Sequence, residues 1–145
     1  MTIEDYDLVY SLWLGISGFG IRTIDDSREG IEKFLKRNPG FSVVAVDDET
    51  GKVVGAILSG HDGRRACFYH VCVDKNYRKR GIARRMVNFA VTALHEEGIN
   101  KVNIIAFKKN RLGNGFWTGL GWTLREDLNY YDLTLNENNI TNFIE

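Results

Sequence analysis

The chain has 145 residues, with 19 basic and 19 acidic side chains, so its charges balance near neutrality. That balance argues against a general nucleic-acid or membrane-surface binder, which usually carries a basic excess. A hydrophobic fraction of 43% and a single proline exclude a disordered or Pro-rich chain, and residues 1–145 read as one domain with a core of its own.

Residues 2–14 read as a helix. Thr2-x-x-Asp5 resembles a capping box, and Ile3, Tyr6, Val9, Tyr10 and Trp13 form an apolar stripe. The acidic start, Met1 to Asp7, does not read as a signal peptide, and no apolar run approaches membrane-spanning length. Residues 15–20 are Gly-rich but follow no strand and hold no Lys, so they read as a flexible helix–helix connection. Asp26-x-x-Glu29 suggests a second capping box for a helix over residues 27–37, ended by Pro39-Gly40. Asp25 and Asp26 would attract a cation, although capping accounts for Asp26 more simply.

Two apolar, β-branched runs, residues 41–46 and 52–59, flank a polar turn and signal a hairpin. A second turn at 60–65 leads to a strand over 66–73, giving three antiparallel strands. A helix from Gly81 to about Glu97 follows, closed by Gly98, and then a strand over 101–107. A strand, a crossover helix and a strand imply a parallel pair. Residues 110–120 read as a short helix ended by Gly121, with final strands at 122–124 and 130–135 and a loose tail over 136–145. Cys67 and Cys72, five apart, should face opposite sides of one strand and stay reduced, as in a cytoplasmic protein. No residue spacing matches a metal site.

The most informative stretch runs from Val71 to Arg85. An apolar strand, Val71-Cys72-Val73, gives way to a basic loop and then to a helix with Ala83, Met86, Val87, Ala90 and Leu94 at helical spacing. A helix start presents unpaired N–H groups and the positive end of the helix dipole. Arg78, Lys79, Arg80, Arg84 and Arg85 add charge around it, and Gly81 lets a ligand approach the backbone of Gly81, Ile82 and Ala83. From this chemistry the stretch reads as a phosphate cradle.

Arg78-x-x-Gly81-x-Ala83 resembles the Gln/Arg-x-x-Gly-x-Gly/Ala signature of the GCN5-related N-acetyltransferases (GNAT). About thirty residues further on, Asn110-x-x-Gly113-x-x-Phe116-Trp117-x-x-Leu120-Gly121-Trp122 resembles the family's Asn-x-x-Ala-x-x-Phe-Tyr-x-x-x-Gly-Phe. The two motifs come in the family's order. The resemblance implies an α/β (α+β) fold, with a mixed, mostly antiparallel central sheet flanked by helices. The family's first strand should be short or absent, since Met1 leaves it almost no room.

The resemblance also implies a cytoplasmic, acetyl-CoA-dependent N-acetyltransferase without a metal. Its acceptor would be a small-molecule or peptide amine, attacking the thioester directly. It places the pyrophosphate on Arg78 to Arg84 and the pantetheine arm along Val71, Cys72 and Val73. Asn110 and Trp117 join the cofactor contacts. Relatives commonly dimerise, which leaves a homodimer open.

Acyl transfer needs a neutral amine, a stabilised oxyanion and a departing thiolate. A primary amine titrates near about 10.4, so a group must accept its proton. A backbone N–H on Val71–Val73 would serve the oxyanion. For the proton the candidates are Tyr69 and His70. Tyr69 shares strand parity with Val71 and Val73, whereas His70 has the better ordinary pKa, near about 6.5, but sits on the other face unless a bulge re-aims it. Some relatives hold a carboxylate near this point; this chain has none from 66 to 73. Trp117 stands where the family has the Tyr that protonates the thiolate, and an indole N–H cannot deliver a proton. Tyr130 and Tyr131 are the substitutes at hand. Two other classes stay in view. One is a CoA-binding sensor that lost the chemistry; the other is a nucleic-acid binder built on the basic loop, which lacks interleaved aromatics for stacking.

Overall fold

In the computed structural model, which describes residues 1–145, Thr2 opens the first helical segment. Its N–H donates to the Asp5 carboxylate at 2.8 Å, as a capping box requires. A 3-10 turn, Ile3–Asp5, leads into α1, Tyr6–Leu14, and no strand precedes it. α1 buries Tyr6, Val9, Leu12 and Trp13 on one stripe.

The segment after α1 is not a free connection. It contains β1, Gly20–Arg22, which pairs antiparallel with β6, Thr141–Phe143. The tail is therefore held, against the expectation of a loose end. Gly18 N–H donates to Ile144 O at 2.7 Å, Ile144 N–H to Phe19 O at 2.9 Å and Thr23 N–H to Ile140 O at 3.0 Å. The Asn139 carboxamide accepts from the N–H groups of Ile24 and Asp25 and donates to the Asp25 carboxylate. These are backbone and amide bonds that a polar tail can make without an apolar signature.

α2 spans Arg28–Arg37 and is capped by Ser27, whose Oγ accepts from Gly30 N–H at 3.0 Å. The expected Asp26–Glu29 capping box is thus corrected. Ser27 has the extended backbone that a cap needs, and Asp26 turns inward to another partner.

The main sheet has the order β2-β3-β4-β5, with β2 Val43–Val46, β3 Val53–His61, β4 Ala66–Val73 and β5 Val102–Ile104. β2, β3 and β4 are antiparallel; β4 and β5 are parallel across the helix between them. That helix, α3, spans Ile82–Glu96, and Gly98 beyond its end has φ +85°.

Alternation along β3 sorts the core into two layers. Ala56 and Leu58 join Tyr6, Val9, Trp13, Ile31 and Cys72 on one face. Gly55 turns the other way, where a Cβ would lie 2.8 Å from Met86 Cε of α3. Met86, Val87, Ala90 and Leu94 of α3 are all buried, each adding about 1.5–3 kcal/mol of transfer free energy if fully buried, Ala90 less.

The chain divides into two compact units, Met1–Ile104 with Asn138–Glu145, and Ile105–Glu137. The second holds α4, Arg111–Gly119. Residues 122–124 and 130–135, expected as strands, form none. Leu124, Tyr130, Tyr131, Leu133 and Leu135 are exposed, and no strand pairs with their backbone. β5 also stops at Ile104, short of the expected Phe107.

Candidate functional site

β4 carries the site because it leaves its neighbour. Its pairing with β5 covers only Ala66, Cys67 and Phe68. From Tyr69 to Val73 the β5-facing edge has no strand partner, so an extended, amide-bearing chain can lie along it. On the other edge, Tyr69 lies opposite Leu58 and Cys72 opposite Ala56. Two residues of β4, His70 and Val71, thus face one residue of β3, Ile57. This is a β-bulge, and it reverses the parity of everything after it.

Three expectations change with that extra residue. Tyr69 shares its face with Cys72 rather than with Val71 and Val73. His70 adopts φ +51° and reaches the α1 side of the sheet, where the ring lies 4.7 Å from that of Trp13 and 4.8 Å from that of Phe19. Cys67, opposite Gly60, and Cys72, opposite Ala56, end on one face rather than on opposite faces. Their β3 partners are four residues apart, so roughly 13 Å still separates them, and both are free thiols. Burial pushes the Cys72 thiol up to about 12.

His70 has a carboxylate after all, from 44 residues away in the chain. Its Nε2 lies 2.7 Å from Asp26 Oδ1. Asp26 is 4% exposed and its other oxygen accepts from Arg22 N–H at 2.7 Å, while its carbonyl accepts from the Tyr6 hydroxyl at 2.9 Å. The sequence offered Asp26 as a helix cap or a charge that attracts a cation, and gave no sign of this pairing. Tyr69, by contrast, is half exposed and meets the Phe34 ring edge-on at 6.0 Å.

The basic loop forms where expected. Asp74 accepts from Asn76 N–H and opens a 3-10 turn, Lys75–Tyr77. Arg78 Nε donates to Val73 O at 3.2 Å, and Arg80 donates to Asn76 O while lying over the Tyr77 ring. Lys79 and Gly81 both take positive φ, +61° and +76°. Gly81 is the N-cap of α3 and offers no side chain to its first turn. The N–H groups of Ile82, Ala83 and Arg84 therefore lack a side-chain cap, in a concavity of the kind that binds anions. Arg78, Lys79, Arg80, Arg84 and Arg85 are exposed around it.

Two carboxylates hold the turn that feeds this loop. Hydrogen bonding from Lys52 holds Asp74 below the ordinary carboxylate range, and the Tyr77 hydroxyl does the same for Asp47. A depressed carboxylate contributes stability above its ordinary value and loses it as pH falls through the folded value. Stability from these pairs should thus be flat from about pH 5 to 8 and fall below about pH 4. Acid titration of the wild type against Asp74→Asn and Asp47→Asn checks this, since each variant should flatten the acid limb.

In the second unit Asn110 is the N-cap of α4, its Oδ1 accepting from Gly113 N–H at 2.9 Å. Gly113 stands where the family has Ala, and a Cβ built there would lie 2.5 Å from Asn110 Nδ2, so an Ala would need a shifted Asn110 side chain. Trp117 is buried, with ring centroids 5.0 Å from Phe116 and 4.6 Å from Trp122. Trp117→Phe should keep that packing and change turnover by no more than about threefold, because an indole N–H is not a proton donor of use in acyl transfer. A large loss of turnover in a folded variant would assign the indole a chemical part.

Comparison with known proteins agrees with this architecture. The sequence profile of the Acetyltransferase (GNAT) family matches residues 7–122. An acetyltransferase of Sodalis glossinidius (strain morsitans) is 32% identical over 102 residues, which is 70% of this chain and 69% of the relative. Among solved structures, the PaiA N-acetyltransferase of Thermoplasma acidophilum, in complex with coenzyme A, superposes with a TM-score of 0.75 at 14% identity, covering 87% of this chain and 88% of that one. AAC(6')-Iy, in complex with the bisubstrate analogue CoA-S-monomethyl-acetylneamine, gives 0.69 at 16% identity, covering 92% and 95%. No helix here is long and apolar enough to cross a membrane.

Proposed function

The chain belongs to the acetyltransferase (GNAT) family and is an acetyltransferase; we propose that it moves the acetyl group of acetyl-CoA onto a primary amine by direct attack on the thioester. The observation that carries the proposal is the start of α3, a Gly-capped helix end with unpaired amides and basic side chains around it. A diphosphate matches that end in charge and in acceptor geometry. The open edge of Tyr69–Val73 would take the pantetheine amides, which aims the thioester at the bulge. A backbone N–H of Val71–Val73 on that open edge would serve the oxyanion.

The thiolate is a tolerable leaving group, since a cysteine-like thiol titrates near about 8.5. The acceptor is a small-molecule or peptide amine, and the two reduced cysteines suit a cytoplasmic enzyme. The test is thiol release from acetyl-CoA across a panel of polyamines, amino sugars, aminoglycosides and lysine or N-terminal peptides. The proposal expects at least one amine-dependent release, together with a rise in Tm on adding acetyl-CoA. The absence of both effects at millimolar cofactor would overturn it.

A further inference from the structure

We propose that Asp26 is a positioning residue for acyl transfer, fixing His70 with its hydrogen on Nε2 so that Nδ1 receives the proton of the attacking amine. The inference rests on the acetyl-transfer reading and adds to it a residue from outside the strand. An ionised carboxylate only accepts hydrogen bonds. Asp26 Oδ2 already accepts from Arg22 N–H, so Oδ1 at 2.7 Å takes the hydrogen of Nε2. In the neutral imidazole this leaves the lone pair on Nδ1, an assignment made from the hydrogen bond.

Three observations say that this pair is built for more than packing. First, His70 is held at φ +51°, a conformation costing about 1–3 kcal/mol for a side-chain-bearing residue and kept only where the surroundings enforce it. Trp13, Phe19 and Asp26 enforce it from three sides. Second, the bulge that turns His70 inward falls within Tyr69–Val73, the stretch of β4 whose other, β5-facing edge is the one proposed for the thioester. Third, Trp13 is fully buried with no partner for Nε1. An orphaned indole N–H is costly and marks a place where packing around the imidazole has taken precedence over hydrogen bonding.

The step balances without a further reactant. The amine nitrogen forms the C–N bond, its proton passes to Nδ1 directly or through one water, and the C–S bond breaks with its electron pair on sulfur. The imidazolium returns the proton to the thiolate or to solvent. Its transient charge lies beside the Asp26 carboxylate, which stabilises it. The charged group against the ring is Asp26, with the Tyr6 hydroxyl behind on the Asp26 carbonyl; the Trp13 and Phe19 rings pack on it.

The test uses Asp26→Asn, Asp26→Glu and His70→Gln in the full chain, assayed with an amine that the wild type acetylates. Asp26→Asn presents an amide N–H as well as a C=O, so it no longer enforces one tautomer. It should bind acetyl-CoA within about threefold of wild type yet lose about 100-fold or more in kcat, the range a general base supplies. His70→Gln should lose as much, and Asp26→Glu should recover part of it. Nitrogen-15 shifts of His70 in the wild type should show a protonated Nε2 and a bare Nδ1, a readout that needs no variant to fold. A folded Asp26→Asn with unchanged kcat, or the opposite tautomer, overturns the inference alone. A wild type that binds no acetyl-CoA and acetylates nothing overturns the acetyl-transfer reading and this inference with it.

Discussion

Gly81→Asp should weaken acetyl-CoA binding by about 30- to 700-fold. Gly81 caps α3 at φ +76°, and a Cβ built there meets nothing within 4 Å, so space is not the obstacle. The obstacle is charge. A carboxylate at the helix entrance would stand about 4 Å from a bound diphosphate. Like charges at that distance repel by about 4 kcal/mol at an effective dielectric of 20 and about 1 in water. An exposed loop lies between those limits, and 2–4 kcal/mol converts to the stated range. Gly81→Asn is the control, because Asn and Asp tolerate positive φ alike. It should bind within about fivefold of wild type, since the neutral side chain leaves only a small backbone term. Calorimetric titration of both variants checks the difference. Equal binding by Gly81→Asp and wild type would mean that the diphosphate lies elsewhere.

Gly30→Ala should cost about 2–3 kcal/mol, although Ala is the better helix former by roughly 1 kcal/mol at an unobstructed position. Gly30 lies in the first turn of α2, directly under the loop that bears Asp26. An added Cβ would lie 2.4 Å from the carbonyl oxygens of both Ile24 and Asp25. Those are backbone atoms, so the loop itself must shift. A loss of this size lowers Tm by about 6–12 °C in a chain this long. The same shift would draw Asp26 from His70, so turnover should fall with stability. Gly115 gives the contrast, since it lies inside α4 with nothing within 4 Å of an added Cβ. Gly115→Ala should be neutral or stabilising by up to about 1 kcal/mol. Thermal melts of the two variants decide the matter. A neutral Gly30→Ala would show that the loop is looser than the carbonyl contacts imply.

What the sequence disclosed follows from range. β4 and α3 were legible because each states its periodicity within a dozen residues, and Gly81 and Gly98 mark the helix at both ends. The cradle was legible for the same reason, being one contiguous stretch from Arg78 to Arg84. The Asp26–His70 pair was not, because 44 residues separate its members and each has a simpler local explanation. Asp26 resembles a helix cap, and His70 resembles an ordinary strand residue on the far face.

The bulge has no sequence mark either. It follows from how Tyr69 and Cys72 register against Leu58 and Ala56, which depends on packing across the sheet. β6 was missed because Thr141-Asn142-Phe143 lacks a strand's apolar alternation. Its bonds to β1 are made by backbone across more than a hundred residues. The strands expected at 122–124 and 130–135 fail for the converse reason: the alternation is present, but no neighbouring strand receives it.

A crystal structure with coenzyme A bears most directly on the account. The diphosphate oxygens should accept from the backbone N–H groups of Ile82, Ala83 and Arg84 at about 2.7–3.2 Å, with the pantetheine arm beside Tyr69–Val73. A diphosphate bound away from the start of α3, with those amides satisfied by solvent or neighbouring side chains, would contradict it.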